Sequence, residues 1–316
     1  MAFALHLDDC FDWLPRQRHD SFHAVCTDPP YGVVEFSREE ISKLRNGNKG
    51  GIWRIPPKIG GIERDPLPRF TTLTAQDREN IREYFKRLGH ALMPAVMPGG
   101  HVLVAGNPML QHLVQSGIAE AGFEVRATII RLYRGFRGGD RPKLAEKEFP
   151  EVCVTPRGAY EPWMLFRKPI AEKTVAQNLR KWGTGGLRRV SEDQPFPDVI
   201  NSGRTPALEE AISDHPCLKP QHLMRILVRA LLPMDEGIVL DPFAGSGSML
   251  AAAEAAGIES IGVESDEHYH AQALDTIPRL ARLYPHFRGQ SLEMPEAPES
   301  QRVRAPQENK RQVSLI

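Results

Sequence analysis

The sequence predicts an α/β fold, a doubly wound and mostly parallel sheet with helices on both faces, and three observations predict it. Gly237 to Glu264 reads as strand, glycine-rich turn, helix and strand, a single βαβ unit. Phe22 to Thr27 (FHAVCT) is a short apolar run stopped by the prolines of Asp28-Pro29-Pro30. Between these two, apolar runs of strand length alternate with stripes at helical spacing, the pattern of a sheet buried on both sides.

The elements follow in order. After the Phe22 to Thr27 strand, residues 33–73 read as a long mobile loop rich in glycine and proline, with the isolated aromatic Trp53. Thr74 and Asp77 mark a helix start, and Ile81, Tyr84, Phe85, Leu88 and Leu92 form a stripe that should face the sheet. Pro98-Gly99-Gly100 predicts a turn into a His101 to Ala105 strand. Met109 to Ala121 reads as a helix and Phe123 to Leu132 as a strand. Pro220 to Leu232 is a helix, Gly237 to Asp241 a strand, Ser248 to Ala256 a helix and Glu259 to Glu264 a strand. From about Gly289 the sequence is polar and without periodicity, which predicts a disordered tail.

Composition narrows the function classes. The 316 residues are 41% hydrophobic and 25% charged, which suits a globular domain and excludes a fibrous or disordered chain. The 40 Lys plus Arg balance 40 Asp plus Glu, so any nucleic-acid surface must be a local patch. Such a patch exists between Arg126 and Arg189, where 15 basic residues meet 6 acidic ones for a net +9. Within it Arg131, Arg134, Arg137, Arg141 and Lys143 flank Gly135, Gly138 and Gly139 as a flexible cationic loop. Cys10, Cys26, Cys153 and Cys217 are scattered, which fits neither a disulfide framework nor a zinc site. His268 and His270 do not suggest metal binding, so no metal is implied. The N-terminus lacks the pattern of a signal peptide, and no run approaches a membrane span. A cytoplasmic location without membrane contact is expected.

Two constellations carry chemistry. In Gly237 to Gly247 (GIVLDPFAGSG) a strand meets a glycine-rich turn and a helix start, so backbone N–H groups can approach a ligand. Asp241 in that turn can attract a cationic ligand such as a sulfonium carrying an amino group, and Glu264 ends the next strand. Dinucleotide enzymes need a third glycine where Leu250 stands, which disfavours hydride chemistry. The second constellation, Asp28-Pro29-Pro30-Tyr31, holds an acid and an aromatic ring at a strand's carboxyl end. That suits alkylation of an exocyclic amine. A carboxylate and a proline carbonyl accept the amine hydrogens and localise its lone pair, while Tyr31 stacks on the base, worth about 1–3 kcal/mol. Taken alone, Asp28-Pro29-Pro30 also reads as a proline turn, Asp9 as a helix cap, His215-Pro216 as helix punctuation and Lys219 as a surface lysine.

Together, Asp28-Pro-Pro-Tyr31 and Asp241-Pro242-Phe243-Ala244-Gly245-Ser246-Gly247-Ser248 resemble the catalytic and cofactor motifs of the amino-methylating DNA methyltransferases. With the catalytic motif first, the order is similar to that of the beta group. The resemblance covers roughly Leu5 to Leu283. It implies a circularly permuted, Rossmann-like methyltransferase sheet and S-adenosylmethionine as cofactor. Asp9 in Leu7 to Leu14 matches the acid that contacts the cofactor adenine, and Glu264 matches the ribose-binding acid. His215-Pro-Cys-Leu-Lys219-Pro220 resembles the element approaching the methionine part, and Tyr160 to Pro169 the strand before the recognition region. Ser248 replaces the family's common threonine and keeps the hydroxyl.

The resemblance further implies double-stranded DNA as partner, base flipping, and a possible cognate restriction enzyme for a monomer or homodimer. Members with Asp before the double proline usually act on adenine N6. Cytosine N4, an RNA or protein-amide substrate, and a non-catalytic DNA-binding regulator remain alternatives. The expected organisation is a catalytic half at 1–154, a target-recognition insertion at 155–213, a cofactor half at 214–285 and a tail at 286–316.

Overall fold

A computed structural model describes residues 3–30, 58–59, 62–63, 73–133, 142, 144–156, 158–213, 215, 217–293 and 295. Ten strands are formed among them: β1 (Phe3–Leu7), β2 (Phe22–Thr27), β3 (Lys58–Ile59), β4 (Ile62–Glu63), β5 (Val96–Ala105), β6 (Glu124–Leu132), β7 (Tyr160–Arg167), β8 (Val199–Asn201), β9 (Ile238–Asp241) and β10 (Glu259–Glu264). Eight α-helices accompany them: α1 (Cys10–Trp13), α2 (Ala75–Ala95), α3 (Gln111–Glu120), α4 (Val175–Trp182), α5 (Ala207–Glu210), α6 (Gln221–Leu231), α7 (Ser248–Ala256) and α8 (Glu267–Arg282). Eight strands form one sheet in the order β1-β10-β9-β2-β5-β7-β6-β8, and β3 pairs with β4 in a separate short ribbon. All neighbours in the large sheet run parallel except β7, which is antiparallel to β5 and β6.

Side-chain parity along the strands decides which layer each residue joins. Ala24 and Cys26 of β2, Leu103 of β5 and Trp163 of β7 face one core, with α6, α7 and α8 above them. Val25, Val102, Val104 and Phe166 alternate to the opposite core, with α2 and α3. A strand apolar on both faces is therefore what a doubly covered sheet requires. In α2, Thr74 and Asp77 make the reciprocal capping box that starts the helix, and Ile81, Phe85, Leu88 and Leu92 are buried as the stripe demands. Buried Arg225 of α6 donates to the carbonyls of Leu280, Ala281, Leu283, Tyr284 and Phe287, so the end of α8 is satisfied by a side chain from another helix.

The structure corrects the sequence reading in four places. Pro98-Gly99-Gly100 is not a turn before a strand. It lies inside β5, where the register with β2 slips between the Phe22↔Val96 and Ala24↔His101 pairs. Residues 155–213, expected as an inserted target-recognition region, also supply β7, an inner strand between β5 and β6, and the edge strand β8. Arg131, expected both on the Phe123 to Leu132 strand and in a flexible cationic loop, belongs to the strand alone, as a buried residue of β6. The start of the expected tail packs onto the core, with Phe287 buried and stacked on His222 and Leu292 against the α6 side. The loop expected at 33–73, apart from the β3–β4 ribbon and Leu73, Trp53, and the tail at 294 and 296–316 lie outside the described residues.

Candidate active site

Strand order places the site. β9 leads through α7 to β10 on one side, while β2 pairs with β9 on the other, so the switch point of the sheet lies at the carboxyl ends of β9 and β2. In open α/β sheets, ligands bind at such a switch point. The two motifs, more than 200 residues apart in sequence, end on these adjacent strands, and a buried hydrogen bond joins them. Thr27 Oγ1 donates to Asp241 Oδ1 at 2.7 Å.

On the β9 side the turn is built locally. Asp241 Oδ1 also accepts from the Phe243 N–H at 3.1 Å, so both bonds land on one oxygen. Burial pushes the Asp241 carboxyl up to about 7, against the pull of Thr27 and the Phe243 N–H. Glu264 at the end of β10 accepts from the Gly245 N–H through Oε2 and from the Asp266 N–H through Oε1, both at 2.8 Å. Gly245 has φ +49°, and a Cβ there would stand 3.2 Å from the His215 imidazole. Gly247, at φ +77°, caps α7, and a Cβ on it would collide with Ile277 of α8. The glycines are thus needed both for backbone conformation and for close approach. His215 also packs edge-on to Tyr269, with ring centroids 4.5 Å apart.

On the β2 side, Pro29 is buried and Pro30 exposed, and Asp28 sits between them and the sheet. Its Oδ2 pairs with Lys219 Nζ at 2.8 Å, and the same ammonium pairs with Glu161 Oε1 at 2.8 Å. Glu161 Oε2 accepts from Arg131 at 3.1 Å and from the Trp163 indole at 3.0 Å. Arg131 in turn donates to Ser202 Oγ and to the Gly203 carbonyl. Burial pushes the Asp28 carboxyl up, and although Lys219 pulls against it the carboxyl stays above its ordinary value. For Glu161 burial acts the same way, but Lys219 and Arg131 together win and draw it down to about 2. Burial penalises the Lys219 ammonium, yet Asp28 and Glu161 overcome that and hold it protonated.

The structure therefore brings Asp28, Pro29, Lys219, the turn Asp241 to Ser248 and Glu264 to one end of the sheet. Lys219 reaches it differently from the expected cofactor contact. Its ammonium lies on Asp28, and only its backbone N–H touches the turn, donating to Ser248 Oγ at 3.1 Å. Asp9 caps α1, accepting from the Phe11 N–H at 2.7 Å, at the end of β1 beside β10. Tyr31, Arg134, Arg137, Arg141 and Lys143 lie outside the described residues. Sequence reasoning missed Glu161, Arg131 and Thr27. A glutamate inside the otherwise apolar strand YEPWMLF was the available signal, because a buried charge needs a partner. Among the described residues no cluster of His, Cys, Asp and Glu could hold a metal ion, and no helix is long and apolar enough to cross a membrane.

A family model described as DNA methylase, covering N6 and N4 amino methylation, matches residues 22–275. The chain belongs to the DNA methylase family. Among relatives of this methylase, the Type II methyltransferase M.HindIII of Haemophilus influenzae is 23% identical over 304 residues, covering 88% of this chain and 96% of the relative. The Type II methyltransferase M2.DpnII of Streptococcus pneumoniae is 20% identical, covering 83% and 84%. Among solved structures, the PvuII DNA methyltransferase, which is cytosine-N4-specific, superposes with a TM-score of 0.56 at 14% identity, covering 89% and 92%. A Thermus thermophilus protein superposes, in its S-adenosyl-L-methionine complex, with a TM-score of 0.52 at 20% identity, covering 89% and 97%. These likenesses show a fold shared with this methylase.

Proposed function

We propose that this DNA methylase transfers a methyl group from S-adenosylmethionine to the N6 amine of adenine in double-stranded DNA. One observation carries the reading. The Asp28 carboxylate stands at the end of β2, joined through Thr27 to the Asp241 turn at the end of β9. An amine acceptor and a cofactor turn thus flank one switch point of the sheet. When bound, S-adenosylmethionine supplies an electrophilic methyl group on a sulfonium centre, and the residues present fit such a ligand. Asp241, buried and with its carboxyl pushed up, gains from a nearby cation. Glu264, already fixed by two backbone N–H groups, has lone pairs left for ribose hydroxyls. Asp9, at the end of β1, is assigned to the cofactor adenine.

The chain's own part in the reaction is to hold the base and take a proton. Asp28 and a proline carbonyl accept the amine hydrogens, which draws the nitrogen lone pair out of the ring, and Asp28 accepts the proton the amine gives up. Tyr31 stacks on the flipped base, offsetting the few kcal/mol needed to extrude it. Adenine is preferred over cytosine because the acid at position 28 is Asp, as in adenine-acting enzymes of similar motif. Arg134, Arg137, Arg141 and Lys143 are assigned to DNA phosphates, which gives salt-dependent binding. Target recognition is assigned to the stretches flanking β7, rather than to all of 155–213. A cognate restriction enzyme would be the natural counterpart of such a methylase.

The test is to incubate the protein with methyl-labelled S-adenosylmethionine and unmethylated plasmid, then digest to nucleosides and identify the labelled one by mass spectrometry. Label on the adenine amine is expected. Label on the cytosine amine overturns the choice of base, and no label on DNA, with the cofactor still bound, overturns the substrate.

A further inference from the structure

We infer that Lys219, clamped by Glu161, is a positioning residue that sets the charge and aim of the Asp28 carboxylate. The inference rests on the reading of Asp28 as the amine acceptor. Lys219 Nζ lies 2.8 Å from Asp28 and 2.8 Å from Glu161, so a single ammonium bridges two carboxylates. The two carboxylates are held differently. Glu161 is fixed on its other oxygen by Arg131 and by the indole of fully buried Trp163, and Arg131 is itself tied to Ser202 and Gly203. Asp28 is the most open of the three, its side chain 22% exposed against 16% for Glu161 and 14% for Lys219.

This asymmetry divides the work. Glu161 is the rigid anchor, Lys219 on its four-carbon stem is the adjustable link, and Asp28 is the end that meets substrate. Without Glu161 the ammonium would be spent wholly on Asp28, making it a poorer acceptor for an amine hydrogen. Without Lys219 two buried carboxylates would face each other and Asp28 would take up a proton, leaving a group that donates where it must accept. With both present, an arriving amine can share Asp28 while Lys219 leans on Glu161, and its charge never goes unpaired. Arg131 completes the cluster, so two anions and two cations are buried together.

The groups acting on Asp28 are few among the described residues. Lys219 and His215 favour its ionised form, and Glu161 opposes it. Asp241, which also senses Asp28, lies one strand away, and the Cys26 thiol of β2 is pushed well up by burial and stays neutral. Glu161 is drawn down to about 2, so it remains an anion across the working pH range.

The experiment follows kcat/KM for methyl transfer to plasmid DNA against pH in the wild type, Lys219→Met, Lys219→Arg and Glu161→Gln. Removing the cation should move the acid limb up by about one pH unit or more, and removing the anion should move it down. Lys219→Arg should restore the limb to near the wild-type position. Cofactor affinity by calorimetry should stay within about twofold throughout. A merely structural cluster would lower all rates without moving the limbs in opposite directions. Where Lys219→Met does not fold, Glu161→Gln and Lys219→Arg carry the test.

The ionisation of Asp28 is also read directly, from carboxyl-labelled aspartate by NMR with Asp28→Asn as the subtraction. This titration needs no substrate. If the wild type places no label on DNA, the functional reading fails while the titration still decides the positioning role. Limbs and titrations that stay put, or that move the same way in both variants, overturn the inference.

Discussion

The cofactor-side turn and the catalytic acid stand at the ends of neighbouring strands, yet they are assembled in opposite ways. The turn is local. Gly245 is bound by Glu264 only 19 residues on, Asp241 by Phe243, and the helix that follows starts at once on Ser248. The acid is not local. Asp28 depends on Lys219, Lys219 on Glu161, and Glu161 on Arg131 and Trp163, residues drawn from β6, β7 and the segment before α6. One region is built mainly by backbone conformation within about 25 residues, with Thr27 and the Lys219 N–H tying it to the rest of the fold. The other exists only once the whole sheet has formed, so substitutions in it should separate chemistry from folding and binding more cleanly.

The largest effect should come from the nonlocal region. Asp28→Ala is expected to lower methyl transfer by about 10²–10⁴-fold or more, the range for losing a positioned proton acceptor. Cofactor affinity by calorimetry should change little, because the turn on β9 keeps its own bonds. Turnover retained in this variant would remove Asp28 from the mechanism and collapse the contrast.

Next comes the turn. Gly247→Val places a β-branched side chain at φ +77° and drives it into Ile277 of α8. Strain and overpacking together should cost about 3 kcal/mol by urea denaturation, and cofactor binding should weaken with it. Gly245→Ala, at φ +49° with the His215 ring 3.2 Å from the new Cβ, should be milder in stability, about 1 kcal/mol, while still weakening the cofactor. A local turn thus couples binding to folding. A Gly247→Val protein of unchanged stability and affinity would show that the turn tolerates what its geometry forbids.

How much of this was legible follows the same division. FHAVCT, SMLAAAEAA and ESIGVE fell on β2, α7 and β10 with the observed bounds, because each is punctuated by its own neighbours. Thr74 and Asp77 announced α2 for the same reason. Tyr160 to Arg167 could not reveal that it runs antiparallel inside the sheet, since strand direction is set by distant partners. Arg131 read as one more member of a basic loop because nothing adjacent to it in sequence shows Glu161 thirty residues on. Lys219 was recognised by motif, but its position on Asp28 arises from packing of α6 and α7 against β2 and β7.

A pH experiment sharpens the comparison from the side of Asp241. Its carboxyl is raised from 3.8 to about 7 by burial. Below about pH 4 the group is protonated folded or unfolded. Between about 4 and 7 the unfolded chain releases the proton and the folded chain keeps it, so stability falls as pH rises through that window and levels off above it. Asp241→Asn keeps an oxygen for Thr27 and the Phe243 N–H but cannot ionise. It should flatten that part of the stability profile and be more stable than the wild type at pH 8 by up to about 4 kcal/mol, while binding a cationic cofactor more weakly. A profile as steep as the wild type's would place the titration elsewhere.

The smallest effect tests whether Asp9 belongs to the site or only to the helix. Its side chain accepts from the Phe11 N–H at 2.7 Å through Oδ1, and a cap of this kind is worth about 1 kcal/mol. Asp9→Ala should lose that stability, whereas Asp9→Asn caps equally well and should lose none. The pair of variants therefore separates two roles that one residue can hold. If Asp9 also meets the cofactor adenine through its second oxygen, Asp9→Asn exchanges an acceptor for a donor or reorients the amide. Affinity should then fall several-fold in a protein of wild-type stability. Equal affinity in wild type and Asp9→Asn, with only Asp9→Ala less stable, would reduce Asp9 to a cap and confine the cofactor site to the local turn and Glu264.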